Sequence, residues 1–402
     1  MEKNLVRGHH KTILQIVGIW LFLRFLTSLT AAAFSYLRPF TSIEKQIALW
    51  PPSHNLLTWL NRVFVAPWSR YDAIWFEHIL THGYIAGDGS TSFHPLYIWL
   101  SYPLYYLGMD ARLSLLVTSS LATLVFMCVF YKLARLDHEP NTAFIALLLL
   151  ITFPIAFILF APYTESLFML WAAAVLYSIR YKRWGLAALF SFLAVLTRQQ
   201  GIFLTLPLAW GVWVASQKSL RGVRKVWRAW LSLLAAPAGL IIWTIYRIGY
   251  LHEGSLNFSN IQGFIYSASL SSSAGKIAAD QAFLWPWDAF IIASSKAIHS
   301  MDLNSFINLG FGIGFLLAFI ISWRYLEISY RLYSLAIIVI SFSTIDQYFY
   351  ESLPRHLLLA FPVFFGLSAV MQKYRLKLLL LVCQIPVLIF LIYCYVLNGW
   401  IP

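Results

Sequence analysis

An all-α, polytopic membrane fold is predicted by three observations. The chain is 60% hydrophobic and only 11% charged, with a mean hydropathy of +0.71, well away from an ordinary soluble domain. Its apolar residues run on in stretches that reach or approach the roughly 20 residues needed to cross a bilayer as a helix. These runs are continuous rather than alternating, which excludes a transmembrane barrel. Only helices and closed barrels satisfy their own backbone in lipid, so a bundle of about 11 transmembrane helices remains.

Taken in order, the first run covers 12–37. It is too long for a signal-peptide core and has no clear cleavage site, so it reads as a retained span. An outward segment at 38–110 follows. Within it Leu56, Leu57, Trp59, Leu60, Val63 and Phe64 recur at helical spacing, as do Asp72, Trp75, Phe76, Ile79 and Leu80 after Pro67, with Gly83 as a stop. Two helices lying in the membrane interface are expected, the second holding Asp72 at the lipid surface beside anchoring aromatics. The stretch 93–107 is apolar but short and contains Pro95 and Pro103. Read as a span it would invert everything after it, so a re-entrant or interfacial helix is expected there. The remaining spans fall at 111–134, 142–160, 164–180, 184–198, 200–216, 229–250, 303–323, 328–345, 356–371 and 376–397, with a second outward segment at 251–302. Several are short enough to imply a thinned membrane or helices buried against neighbours around a cleft. The whole chain, 1–402, is expected to be one integral membrane domain.

The net charge of +13 invites a nucleic-acid reading, but its distribution is a topology signal. With the N-terminus inside, the inner segments hold most of the 29 basic residues, among them the run Lys218, Arg221, Arg224, Lys225 and Arg228. Their only acids are Glu2, Asp137, Glu139 and Glu327; the others of the 16 lie outside. Arg24 is counted within the first span. This is the positive-inside pattern, and no nucleic-acid partner is expected. Cys128, Cys383 and Cys394 fall in spans as small core residues, and the sequence has no metal-ligand spacing or phosphate-binding glycine loop.

Four polar clusters face outward. In Arg70-Tyr71-Asp72-Ala73 the carboxylate suits a general base for an acceptor hydroxyl; equally, Ser69-x-x-Asp72 spells a capping box. In Ala161-Pro162-Tyr163-Thr164-Glu165-Ser166, Tyr163, Glu165 and Ser166 could line a cleft mouth, or Thr164 could simply cap the next helix. In Thr197-Arg198-Gln199-Gln200-Gly201, Arg198 either snorkels or serves as a planar phosphate-binding fork, with Gln199 beside it. The fourth cluster holds Asp346, Tyr350, Glu351, Arg355 and His356, more polar groups than a turn needs. His94 is a further outward candidate, a lone histidine being more commonly just solvated.

In order along the chain, "RYDAIWFEHILTHGY", "FHPLYIWLSYPL", "APYTESLFMLWA", "LTRQQGIFL" and "LPRHLLLAFPVFF" resemble the PIG-V family of membrane mannosyltransferases. The family usually has Trp where Tyr71 stands and a second Phe where His94 stands. The resemblance implies a GT-C-type helical bundle with interfacial helices in its first outer loop and a cleft on the outer leaflet. It implies an inverting transfer of a hexose, mannose being expected, from a polyprenyl- or dolichyl-phosphate donor to a lipid-linked or exposed acceptor. Asp72 would be the base, and Arg198 and Arg355 would hold the donor phosphate. No metal or other cofactor is implied, the lipid-phosphate sugar being a co-substrate.

Two readings from other classes compete. A glycolipid transporter would show inverted repeats and mid-span charges; the sequence shows no internal repeat. A non-catalytic subunit of a glycosylation complex would keep the fold without the chemistry. The short inner loops favour the plasma membrane of a bacterium or archaeon over the ER membrane, with the site on the outer or lumenal side.

Overall fold

The computed structural model describes residues 2–37, 56–253, 281–346, 349–350 and 352–397. The chain is an all-α membrane protein. Its first helix, α1 (Glu2–Leu37), is followed in the outer segment by α2 (Leu56–Phe64), α3 (Asp72–His82) and α4 (Leu96–Tyr106). Then come α5 (Ala111–Ala134), α6 (Pro140–Ile151), α7 (Glu165–Arg180), α8 (Trp184–Thr197) and α9 (Thr205–Ala215). The run continues through α10 (Leu220–Lys225), α11 (Trp227–Trp230), α12 (Ala235–Ile245) and a π-helical turn at Tyr246–Tyr250. The C-terminal part holds α13 (Pro286–Ser300), α14 (Leu303–Ser322), α15 (Ile328–Ser343), α16 (Leu353–Leu358), α17 (Val363–Tyr374) and α18 (Lys377–Val396).

Among the described residues, four stretches are long and apolar enough to cross a membrane unaided: Thr12–Leu37, Ala111–Ala134, Trp227–Tyr250 and Leu303–Tyr325. The other expected spans are shorter or broken, and the breaks have local causes. The run expected at 142–160 ends as α-helix at Ile151, beyond which Pro154 and a 3-10 turn at Ala156–Phe160 carry the chain. The run expected at 200–216 begins as a 3-10 turn, Gln199–Leu204. That expected at 356–371 is divided by Pro362 into α16 and α17. Proline removes a helical donor and clashes with the preceding turn, so the first and third breaks fall at Pro154 and Pro362. The α-helical pieces are packed against neighbours: α5 on α7, α7 on α8, α8 on α12, α17 on α14 and α6. The core is aromatic, with Phe126, Phe130, Phe361 and Phe365 interlocked at ring-centroid distances of 4.7–6.4 Å.

The outer helices form where the spacing predicts, but α3 differs in what it faces. Phe76 is 1% exposed and packs edge-on against Phe93, Tyr97 and Tyr163. It is a core residue and does not anchor the helix in head groups. Glu77 pairs with Arg112 at 2.9 Å, tying α3 to the start of α5. By contrast α2 keeps Trp59 and Leu60 exposed, as an interfacial helix does. The 93–107 stretch is α4, an 11-residue helix seated on α5, with Tyr97 donating from its hydroxyl to the Leu115 carbonyl at 2.8 Å. Arg24 in α1 donates to the carbonyls of Phe64 and Phe160, so this intramembrane charge is satisfied by backbone at two helix ends. One element is not legible in the sequence: Gln281–Phe283 (β1) pairs antiparallel with Thr344–Asp346 (β2), joining the second outer segment to the end of α15.

Candidate functional site

Four charged side chains from four separate segments meet at one end of the bundle. Asp72 is the first residue of α3, Glu165 the first of α7, Arg198 follows α8, and Arg355 lies in α16. Arg355 Nη2 is 2.7 Å from Asp72 Oδ2, and Arg355 Nε is 2.9 Å from Glu165 Oε1. The same Glu165 oxygen accepts from Arg198 Nη1 at 2.6 Å. The chain of charges therefore runs Asp72–Arg355–Glu165–Arg198. Glu165 is fully buried, Arg355 and Arg198 are nearly so, and Asp72 keeps 20% of its side chain exposed. Asp72 is therefore the most exposed member of this network.

Backbone geometry places these groups. Tyr71 has φ +52 and ψ −122, an unusual conformation for a bulky residue, immediately before Asp72. Such a residue costs on the order of 1–3 kcal/mol and persists only where its surroundings enforce it. Here a 3-10 turn at Ala66–Trp68 precedes it, and the Tyr71 ring packs edge-on against Tyr395 at 5.4 Å. Tyr395 in turn donates from its hydroxyl to the Trp68 carbonyl. Arg355 has a parallel device. Ser352, at φ +57, heads α16, and Leu353 N donates to the buried Asn308 Oδ1 at 2.9 Å. Arg198 is positioned by a backbone bond from Gly201 N to its own carbonyl at 3.0 Å. Its Nη1 also donates to Thr164 Oγ1 at 2.8 Å. The Arg355 guanidinium sits 5.2 Å from the centre of the Tyr163 ring, a cation–π contact that fixes its plane.

Two simple readings of the sequence are corrected here. The N-cap of α3 is Tyr71, without a side-chain cap bond; Ser69 Oγ instead reaches back toward the Val65 carbonyl, so no capping box forms. Thr164 stands at the N-cap of α7 but spends its hydroxyl on Arg198 instead of on a helix amide.

Burial and ion pairing act in opposite directions on these arginines. Burial opposes the charge on Arg355, but the neighbouring carboxylates of Asp72 and Glu165 outweigh it and hold its pKa above the ordinary arginine value. Arg355 Nη1 and Arg198 Nε are nevertheless buried without a hydrogen-bond acceptor among the described residues, and Ser166 Oγ and Gln199 Oε1 are similarly unpartnered. Buried polar atoms without a partner are rare in a folded chain; the two guanidinium N–H groups lack an acceptor, and Gln199 Oε1 lacks a donor.

The other candidates divide. Tyr163 belongs to the site through Arg355, and its hydroxyl donates to the Arg70 carbonyl at 3.2 Å. The Arg70 side chain turns away, donating from Nε to the Pro67 carbonyl. His94 is not solvated: it is 6% exposed, its ring 5.6 Å from that of Trp243. Burial holds its pKa down to about 3, with Arg247 and Arg198 adding to the effect. Tyr350 is a packing residue, donating to the Phe342 carbonyl at 3.1 Å. His356 is half-buried beside Arg355. Asp346 lies in β2, where only its backbone is described, and Glu351 lies outside the described residues. Sequence reading missed two groups. Tyr395 carried no signal within an apolar span. Arg247 did carry one, being a charge within the expected span 229–250, and it is 2% exposed on the π-helical turn.

No protein-family profile and no curated protein matches the chain. Among solved structures it is similar over 92% of its length to ArnT from Cupriavidus metallidurans in the apo state, at 11% identity and a TM-score of 0.49. It is similar over 95% of its length to the Archaeoglobus fulgidus oligosaccharyltransferase tethered with an acceptor peptide, at 13% identity and a TM-score of 0.46. The chain spans 62% of the first and 56% of the second.

Proposed function

We propose that the chain is an inverting membrane glycosyltransferase of GT-C type that moves a hexose, mannose by the motif resemblance, from a polyprenyl- or dolichyl-phosphate donor to a lipid-linked or exposed acceptor. The observation that carries this reading is the pair of buried arginines, each with an unmet N–H donor, coupled through Arg355 to the partly exposed Asp72. An oxyanion with several acceptor atoms, as a phosphodiester has, fits two such forks.

In the reaction, the acceptor oxygen attacks the anomeric carbon as Asp72 takes the hydroxyl proton. The bond from that carbon to the phosphate oxygen breaks, and the lipid phosphate leaves with the bonding electrons. Arg198 and Arg355 stabilise the charge that grows on it, in a site from which water is largely excluded. The ion pair between Asp72 and Arg355 makes the two substrates interdependent. A donor phosphate that draws on Arg355 weakens its hold on Asp72, so the base becomes available once the leaving group is in place. Holding both reactants in one cleft replaces an encounter with a positioned step.

The test is to incubate the purified chain in lipid with radiolabelled polyprenyl-phosphate mannose and an acceptor lipid extract. The expected result is label in the acceptor fraction with stoichiometric release of polyprenyl phosphate. Movement of the intact donor across the bilayer without cleavage would favour a transporter and contradict the proposal.

A further inference from the structure

At the end of the bundle that the charge distribution assigns to the inside, the connection between α9 and α11 is a built turn and not a slack loop. Gln217 and Lys218 both have positive φ, +55 and +52. Ser219 Oγ accepts from Gly222 N at 3.1 Å to cap α10. Gly222 is packed so closely that a Cβ there would lie 1.8 Å from the Ser216 carbonyl oxygen. The turn presents Lys218, Arg221, Arg224, Lys225 and Arg228, all exposed.

Two features mark this cluster, in which five cations fall within residues 218–228. It has no counter-ion: the sequence contains no acid between Glu165 and Glu253, and none of the five pairs with a carboxylate among the described residues. Arg180, by comparison, is held by Asp137 in two bonds of 2.6 and 2.7 Å. The cluster is also interleaved with exposed apolar side chains, Leu220 at 81% and Trp227 at 55%. Lys218 lies over the Trp210 ring at 5.7 Å and Arg228 over that of Trp227 at 5.6 Å, so the aromatics and cations form one surface. Orienting the chain needs only the positive charge. Exposed Leu220 in the turn and Trp227 at the head of α11 add nothing to that and suit a surface in contact with lipid.

We propose that segment 217–230 is a binding surface for the head groups of anionic phospholipids. The five cations meet lipid phosphates, while Leu220 and Trp227 enter the boundary between head groups and acyl chains. The inference is independent of the chemistry proposed for the other end of the bundle.

The full chain in zwitterionic micelles, titrated with phosphatidylglycerol or with phosphatidylcholine of the same acyl composition, tests this when bound lipid is counted by native mass spectrometry. Phosphatidylglycerol should be retained preferentially, and R221Q/R224Q/K225Q/R228Q should weaken that retention at least about tenfold, leaving phosphatidylcholine unaffected. Unchanged phosphatidylglycerol retention in this variant would overturn the proposal. So would an equal loss on neutralising the separate basic positions in R324Q/K373Q/R375Q. Should the quadruple variant fail to insert, Arg224→Gln alone should weaken retention roughly threefold to fivefold, and no change would again refute the assignment.

Discussion

Glu165 lies at full burial between two guanidinium groups, one of its oxygens serving both. A buried ion pair adds little against an apolar replacement, but removing one partner leaves the others charged and dry. Glu165→Gln would leave Arg198 without its carboxylate and Arg355 with only Asp72. The expected cost is about 3 kcal/mol of stability, read as a lowered unfolding temperature in micelles, together with weaker donor binding; an unchanged unfolding temperature would contradict this bracing role. His94 acts through pH. Its imidazole titrates near 3 in the folded chain against an ordinary value of 6.5. Between those values the unfolded chain binds more protons, so stability should rise with pH across that window. His94→Gln, which can keep the hydrogen bond to the Val195 backbone, should flatten this acid limb; a limb of unchanged steepness would assign the effect to other groups.

At the scale of elements, the turn after α8 shows how backbone packing positions a functional side chain. A Cβ on Gly201 would lie 2.4 Å from Val195 N and 2.6 Å from the Ala194 carbonyl carbon, both backbone atoms with little room to yield. Gly201→Ala should therefore cost about 1–3 kcal/mol and shift Arg198, raising the donor KM more than it lowers stability would suggest. A variant with wild-type donor KM would show that Arg198 does not depend on this turn. The same scale marks the limits of sequence reading. The helical spacing from Asp72 onward was legible as α3, because one helix is a local event. Which way it faced was not. Phe76 looks alike in a head-group layer and against Tyr163, and only the tertiary neighbours distinguish the two. The β1–β2 pair was hidden for a similar reason, since three-residue strands carry no readable alternation.

For the whole molecule, Asp72, Glu165, Arg198 and Arg355 were each visible in the sequence as polar groups in outward turns. The charge topology placed those turns on one side. Their convergence into a single ionic chain was beyond that reading, because nothing local links residue 72 to residue 355; packing of α3, α7, α8 and α16 does so. Tyr395 remained silent for the same reason, gaining meaning only where α18 meets the turn before Asp72. In the proposed reaction each member of the network has a distinct part: Glu165 braces, the arginines would receive the donor phosphate, and Asp72, the most exposed of the four, would act as base. Transfer of label from polyprenyl-phosphate mannose by Asp72→Asn, beside the wild-type chain at equal folded protein, tests this account most directly. Because the amide keeps the shape but cannot take a proton, the rate should fall by at least about 10²-fold, with the unfolding temperature near that of wild type. Transfer at close to the wild-type rate would remove Asp72 from the chemistry and contradict the central claim.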